Sequence, residues 1–261
     1  MLTVLSPAKK LNFERPSPEL PTTSPVLEQD IKLLAAQAKK LSAAKLGKLM
    51  DISDKLAQLN YERFQDFSLP FTPMDSRPAA FAFAGDTYVG LDVEQLNSAD
   101  LAYAQNHLRI LSGLYGLLRP MDLMQPYRLE MGTKLSNSRG KNLYEFWGTR
   151  ITDSINAALK DHKDQRLINL ASAEYFKSIQ SKALPGPVIT PVFLERKDGK
   201  SRTLFLFAKR ARGMMARFAI QQRIEHAESL KDFNEGGYRF QPTQSDEHRW
   251  VFERDQPPPA R

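Results

Sequence analysis

The sequence predicts an α/β fold with α+β character: one compact domain spanning residues 1–261, in which a mixed β-sheet is flanked by helices. Three observations carry this expectation. Short apolar runs at Leu2–Leu5 and Arg166–Leu170 have the length and composition of buried strands, and the second turns directly into a helix start. Other stretches carry apolar residues at helical spacing, as at Leu101, Ala104, Leu108, Leu111, Tyr115 and Leu118. Lys197-Asp198-Gly199-Lys200 joins two further strand signals through an Asp-Gly turn, which specifies an antiparallel hairpin.

Composition narrows the function classes. With 41% hydrophobic and 26% charged residues in 261, a sizeable core is available. The formal charge of +7 and a pI near 9.5 bias the surface toward anions, so nucleic acid, nucleotides and anionic surfaces are favoured partners. No run approaches the roughly 18 apolar residues that span a bilayer, and MLTVLSPAKKLNF places its basic residues after the apolar ones, the reverse of a signal peptide. A cytoplasmic location is therefore expected, with no membrane partner. The absence of cysteine excludes disulfides, thiolate nucleophiles and Cys-ligated metals. His107, His162, His226 and His248 are scattered without metal-ligand spacing, so neither a metal nor another cofactor is expected.

Taken in order, Ser6-Pro7 ends the first strand and leaves Lys9 and Lys10 just past its carboxyl end, where α/β folds commonly carry ligands. Ser6-x-x-Lys9 matches the serine acyl-enzyme pattern, but Pro7 and the missing S-D-N and K-T-G companions favour solvated lysines or an anion-binding loop. Residues 14–25 are too rich in proline for a helix or central strand and form a surface arm. Ser24 caps, and Pro25 opens, a helix with Leu27, Ile31, Leu34, Ala38 and Leu41 on its apolar face. Ser42 and Ser53 cap two short helices that form an αα-hairpin at about 42–64. Residues 49–57 resemble a helix-hairpin-helix element, which presents backbone amides to a DNA phosphate. Lys45, Lys48 and Lys55 flank it, while Asp51 and Ser53 replace the two glycines of that pattern. The alternative is an ordinary helix pair packed on the core.

Ala79–Phe83 reads as a strand, and Gly85–Asp92 as a turn, a short strand and a second turn. Asp86 and Asp92 are candidate carboxylates or simple turn residues. Ser98 caps the central helix, which runs to Leu118, and Pro120 forces Arg119 into a turn. The following loop offers Arg119 and Arg128 as phosphate or carboxylate forks, or as partners of Asp122 and Glu130. Residues 142–160 form a further helix whose stripe of Leu143, Phe146, Trp147, Ile151, Ile155 and Leu159 belongs to the core. Ser172 caps the helix after the 166–170 strand, making an anion pocket beside Glu174 and Lys177. Pro185–Leu194 and Arg202–Phe207 are the hairpin strands. Lys209, Arg210 and Arg212 then crowd the amino end of a helix that carries Arg217. The helix dipole penalises each by roughly 0.3–1 kcal/mol, and a bound anion would relieve the mismatch. Asn234–Tyr238 is a Gly-Gly turn, Arg249–Glu253 a last edge strand, and about 255–261 a frayed tail.

The strings SPAKKL (6–11), LRILSGLYGLLRPMDLMQPYRLEMG (108–132), NLYEFWG (142–148), INLASAEYFKSI (168–179) and FAKRARGMMARF (207–218) resemble the bacterial YaaA peroxide-stress-resistance family over nearly the whole chain. The resemblance implies a single α/β domain with a positively charged cleft and a helix-hairpin-helix element. It further implies binding to double-stranded and distorted DNA and a cytosolic role in limiting oxidative damage, associated with lower intracellular free iron. No catalytic residues carry over from it.

The leading expectation is a DNA-binding protein whose cleft combines Lys9, Lys10, Arg119, Arg128, Lys177, Lys209, Arg210, Arg212 and Arg217, with the hairpin as a separate contact. The competing class is an enzyme acting on a nucleotide or nucleic acid, with Asp86, Asp92, Glu130 or Glu174 as acid/base or metal-binding groups. A third is an interaction module for an acidic protein. The sequence leans away from catalysis and toward a monomer without fixing either. Convergence of the chain at 5–10, 83–92, 119–132 and 169–177 is what the first two readings require.

Overall fold

The computed structural model describes residues 1–14 and 20–257. In chain order the elements are β1 (Leu2–Leu5), β2 (Lys10–Leu11), α1 (Glu28–Lys39), α2 (Ala43–Met50), α3 (Asp54–Asp66), β3 (Arg77–Pro78), α4 (Ala79–Ala82), β4 (Phe83–Ala84), α5 (Asp86–Leu91) and α6 (Ser98–His107). There follow β5 (Leu108–Ser112), β6 (Gly116–Leu118), β7 (Leu123–Met124), α7 (Leu143–Trp147), α8 (Arg150–Leu159), β8 (Leu167–Leu170) and α9 (Ala173–Phe176). The chain ends in β9 (Val188–Lys197), β10 (Lys200–Arg202), α10 (Phe205–Gln221), β11 (Arg239–Phe240) and β12 (Arg249–Asp255).

An eight-stranded sheet in the order β11-β12-β9-β8-β1-β5-β6, with β10 also on β9, forms the centre. β12, β9, β8, β1 and β5 run parallel, whereas β6, β10 and β11 join antiparallel. The strings LTVL and LINL are buried at every position, as a parallel sheet covered on both faces requires. Leu5 stands opposite Ile110 of β5 and Leu170 of β8. From β1 the chain proceeds to β5 on one side; from the adjacent β8 it proceeds to β9 on the other. The carboxyl ends of β1 and β8 are thus a topological switch point, where diverging loops leave a crevice. The mixed α/β fold with flanking helices is as expected, and so are the Asp-Gly turn, with Asp198 and Gly199 at φ 50° and 73°, and the buried 143–159 stripe; the second hairpin strand, however, is Lys200–Arg202, and Phe205–Phe207, expected to extend it, open a helix instead.

Several elements differ from expectation. The central helix stops at His107, and Leu108–Leu118 is the hairpin of β5 and β6. Its three-four apolar spacing is real, but Ile110 and Leu111 are sealed inside the sheet, and long-range pairing outweighs local periodicity. Asn97, not Ser98, caps α6: its Oδ1 accepts from the Ala99 and Asp100 amides at 2.9 and 3.0 Å, and the Asn97 amide in turn donates to the Asp100 carboxylate. Residues 79–82 make one helical turn, and Asp86–Leu91 is helical, not a strand. α1 opens after Leu27, two residues beyond Pro25. Gly148, at φ 52°, splits the 142–160 helix in two. β12 is not an edge, because β11 pairs along it. α10 begins at Phe205, so Lys209, Arg210 and Arg212 lie beyond its first turn and the dipole argument for an anion there does not hold. Asp255 and Gln256 are tied to Arg196; residues 15–19 of the arm and 258–261 of the tail lie outside the described residues. No helix among the described residues is long and apolar enough to cross a membrane.

At the opposite end of β1, His162 packs edge-on against His107 at 4.5 Å and its Nδ1 lies 3.2 Å from the Met1 amine. Burial, then this positive neighbour, holds its pKa down at about 4. An unfolded histidine titrates near 6.5, so the unfolded chain binds more protons between those values. The stability from a neutral His162 is therefore complete above about pH 6.5 and is lost as the pH falls toward 4. Urea unfolding of His162→Gln is expected to show a flatter stability profile across this window; a slope like that of the parent chain would contradict the assignment.

Candidate functional site

The crevice at the switch point is a cavity of about 470 Å³. Ser6–Lys10 follow β1, Ala84–Thr87 join β4 to α5, Tyr127–Glu130 come from the loop after β7, Leu170 ends β8, and Ser172, Glu174 and Tyr175 follow it. Lys209 and Arg212 of α10 complete the lining. Segments from all four predicted stretches therefore meet, although Arg119 and Asp92, at the ends of two of them, do not.

Local chemistry fixes these loops. The Ser172 amide donates to Ser6 Oγ at 2.8 Å, which ties the two diverging strand ends together, and Tyr88 Oη donates to the Ser6 carbonyl at 3.0 Å. Ser6 is thus a structural tie, and Lys9 turns from it to Glu130 Oε1, 2.9 Å away. That pairing removes the acyl-enzyme arrangement. α5 and α10 cross on two glycines, since a Cβ on Gly213 would lie 1.8 Å from the Thr87 carbonyl oxygen and one on Gly90 2.1 Å from that of Arg210. This close crossing sets Asp86 and Thr87 at the same cavity as Lys209 and Arg212.

Charge in the cavity is only partly compensated. Glu130 is shared by Lys9 and by Arg128 at 3.1 Å, and Glu174 Oε1 accepts from the Gly132 amide at 2.9 Å. Arg128 Nε is buried without a hydrogen-bond partner. Among the described residues, Asp86, Lys10, Lys209 and Arg212 have no ion pair. Arg212 is half-buried, and burial holds its pKa below the usual arginine value. A buried charge without a partner is costly, so this guanidinium is suited to an incoming anion. Tyr127 and Tyr175 form apolar walls; burial pushes both phenols far up, which excludes a tyrosinate base at neutral pH. Tyr127 Oη is also engaged with Ser112 Oγ at 2.6 Å.

The other candidates lie elsewhere. Arg119 donates from its backbone amide and Nε to the buried Asp122 at 2.7 and 3.0 Å and from Nη2 to the Ser24 carbonyl, so its fork is spent inside the fold. Asp92 ends α5 at φ 47° and pairs with Arg217, which Glu235 also holds at 2.7 Å. Arg210 and Arg217 line a second cavity on another face of α10. Lys177 sits 5.0 Å from the centre of the Tyr144 ring. The αα-hairpin forms as expected, with Asp51 at φ 51°, and Lys45, Lys48 and Lys55 exposed outside the cavity. The Asp51 carboxylate occupies the turn where the resembled motif places glycine. No three of His, Asp and Glu among the described residues come together as metal ligands. Tyr127 and Tyr175, which line the cavity, carry no sequence signal that marks them as site residues. The helical spacing of Ala208, Ala211, Met215 and Ala219 was the available signal that α10 starts before Gly213.

Fold and site together define an open, largely parallel α/β protein with a crevice at its switch point that is lined by both cations and carboxylates. Residues 1–244 match the family model described as Peroxide stress protein YaaA. A UPF0246 protein of Saccharophagus degradans is 53% identical over 256 residues, covering 98% of this chain and 100% of the relative. One from Cellvibrio japonicus is 51% identical over 257 residues, with coverage of 98% and 100%. One from Alteromonas mediterranea is 53% identical over 256 residues, with coverage of 98% and 99%. The chain belongs to the YaaA peroxide stress protein family.

Proposed function

We propose that the chain binds double-stranded or distorted DNA without sequence preference across the switch-point cavity, and so limits oxidative, iron-dependent damage during peroxide stress. The observation that carries this reading is the set of uncompensated cations, Lys10, Lys209 and Arg212, around one crevice of a chain with net charge +7. Cations placed in this way neutralise phosphates, hold the duplex and release counterions without reading bases. The αα-hairpin with Lys45, Lys48 and Lys55 is a second, backbone-directed contact. The test is fluorescence anisotropy of a mixed-sequence duplex across a salt series. Affinity should fall steeply with salt, and the Lys45→Ala/Lys48→Ala/Lys55→Ala variant should bind more weakly. Absence of binding, or binding indifferent to salt, would overturn the reading.

A second reading is favoured by Asp86, a carboxylate with no ion pair among the described residues that lines the same cavity as these cations. It is placed to act as an acid or base on a nucleotide or nucleic acid. Turnover of such a substrate, lost in Asp86→Asn, would establish it.

A further inference from the structure

We propose that the switch-point cavity holds a single nucleotide unit, a base with its phosphate, turned out of a DNA strand, and that Phe205 is the side chain that fills the gap left in the stack. The proposal rests on the DNA-binding reading above and goes beyond it in naming what enters the cavity.

Size is the first argument. At about 470 Å³ the cavity falls among small-ligand sites, which span roughly 300–1,000 Å³, so a duplex can lie over it but only one nucleotide can enter. Proteins that reach an atom inside a duplex do so by extruding the nucleotide into such a pocket.

The lining is the second. Lys209 and Arg212, without carboxylate partners among the described residues, suit the phosphate. Tyr127 and Tyr175 supply apolar wall for a base. Asp86 would repel a phosphate but accepts hydrogen bonds from the amino or imino N–H groups of a base edge. One nucleotide offers all three complements at once.

The third argument is the helix that delivers the cations. Phe205, Lys209 and Arg212 are spaced four and three residues apart and so share one face of α10. Lys209 and Arg212 line the cavity, and Phe205 stands on their face of the helix one turn before Lys209, beyond the cavity lining itself. Phe205 is 82% exposed and its neighbour Leu206 is 58% exposed. Another face of the same helix, with Phe207, Arg210 and Met214, lines the second cavity, so the first turns of α10 stand as a ridge between two depressions. An exposed aromatic on a ridge flanked by cations has the form of an apolar wedge that enters between base steps.

The experiment uses the full chain with duplexes carrying 2-aminopurine either opposite a mismatched base or fully paired, with anisotropy read on the same samples. At saturation the mismatched probe should brighten several-fold and more than the paired one, since 2-aminopurine is quenched by stacking. Phe205→Ala should abolish the rise and Phe205→Trp should keep it; Asp86→Asn should diminish it. Calorimetry with 2′-deoxyguanosine 5′-monophosphate distinguishes a free nucleotide from one in a strand. Duplex binding without brightening overturns this inference and leaves the DNA-binding reading standing. Binding of the monophosphate without duplex binding overturns both the strand source and that reading. Brightening that survives Phe205→Ala overturns the role of the wedge.

Discussion

Gly213→Ala is expected to destabilise the chain by about 3 kcal/mol, although glycine to alanine inside a helix ordinarily gains up to about 1 kcal/mol. The sign reverses because the new Cβ would lie 1.8 Å from the Thr87 carbonyl oxygen and 2.6 Å from the Leu91 amide nitrogen, both backbone atoms of α5. Neither can rotate away, so α5 and α10 must separate. At this chain length the loss corresponds to a fall in Tm of roughly 10 °C. The same separation displaces Asp86 from Lys209 and Arg212, so the cavity should be damaged along with stability. Thermal unfolding of the variant decides the point: a Tm equal to or above that of the parent would mean that the two helices do not meet at Gly213.

The second large effect concerns Asp122, which is fully buried. It accepts from Thr23 Oγ1 at 2.6 Å and from the Arg119 amide and guanidinium, and it bridges the arm to the central loop at Thr23. Asp122→Ala leaves the Arg119 guanidinium, 29% exposed, without its carboxylate. Removing one partner of a buried ion pair costs about 3–5 kcal/mol, and the lower figure applies to this partly exposed arginine. Urea unfolding should register that loss, while the folded fraction binds duplex DNA with unchanged affinity. A selective loss of DNA affinity would return Arg119 to the binding surface.

These two positions also show how far the residues alone reach. Strand ends are legible because Ser6-Pro7 and the LINL-to-Ser172 junction are local signals, and most of the cavity follows from them. Nothing in the sequence marks Gly90 and Gly213 as the crossing point of two helices, since a glycine needed for close approach leaves no different mark from one needed for φ. Arg119 read as a ligand fork because its partner Asp122, though only three residues away, gives no sign that it is wholly buried. Leu108–Leu118 kept helical spacing and became two strands because its partners, β1 at one side and Trp147 against Gly116, lie far off in the chain. The basic string at 209–212 reads as a helix start, whereas Lys209 and Arg212 reach the cavity from a helix interior and Arg210 faces another depression, because the turn of α10 that precedes them carries no local start signal.

The central claim, that the uncompensated cations of the switch-point cavity hold DNA phosphates, is tested most directly by the salt series on Lys209→Ala/Arg212→Ala. Each phosphate contact contributes about 0.9 to the slope of log affinity against log salt, so the double variant should bind more weakly with a slope shallower by roughly 2. A slope and affinity equal to those of the parent chain would contradict the claim and move the binding surface away from the cavity.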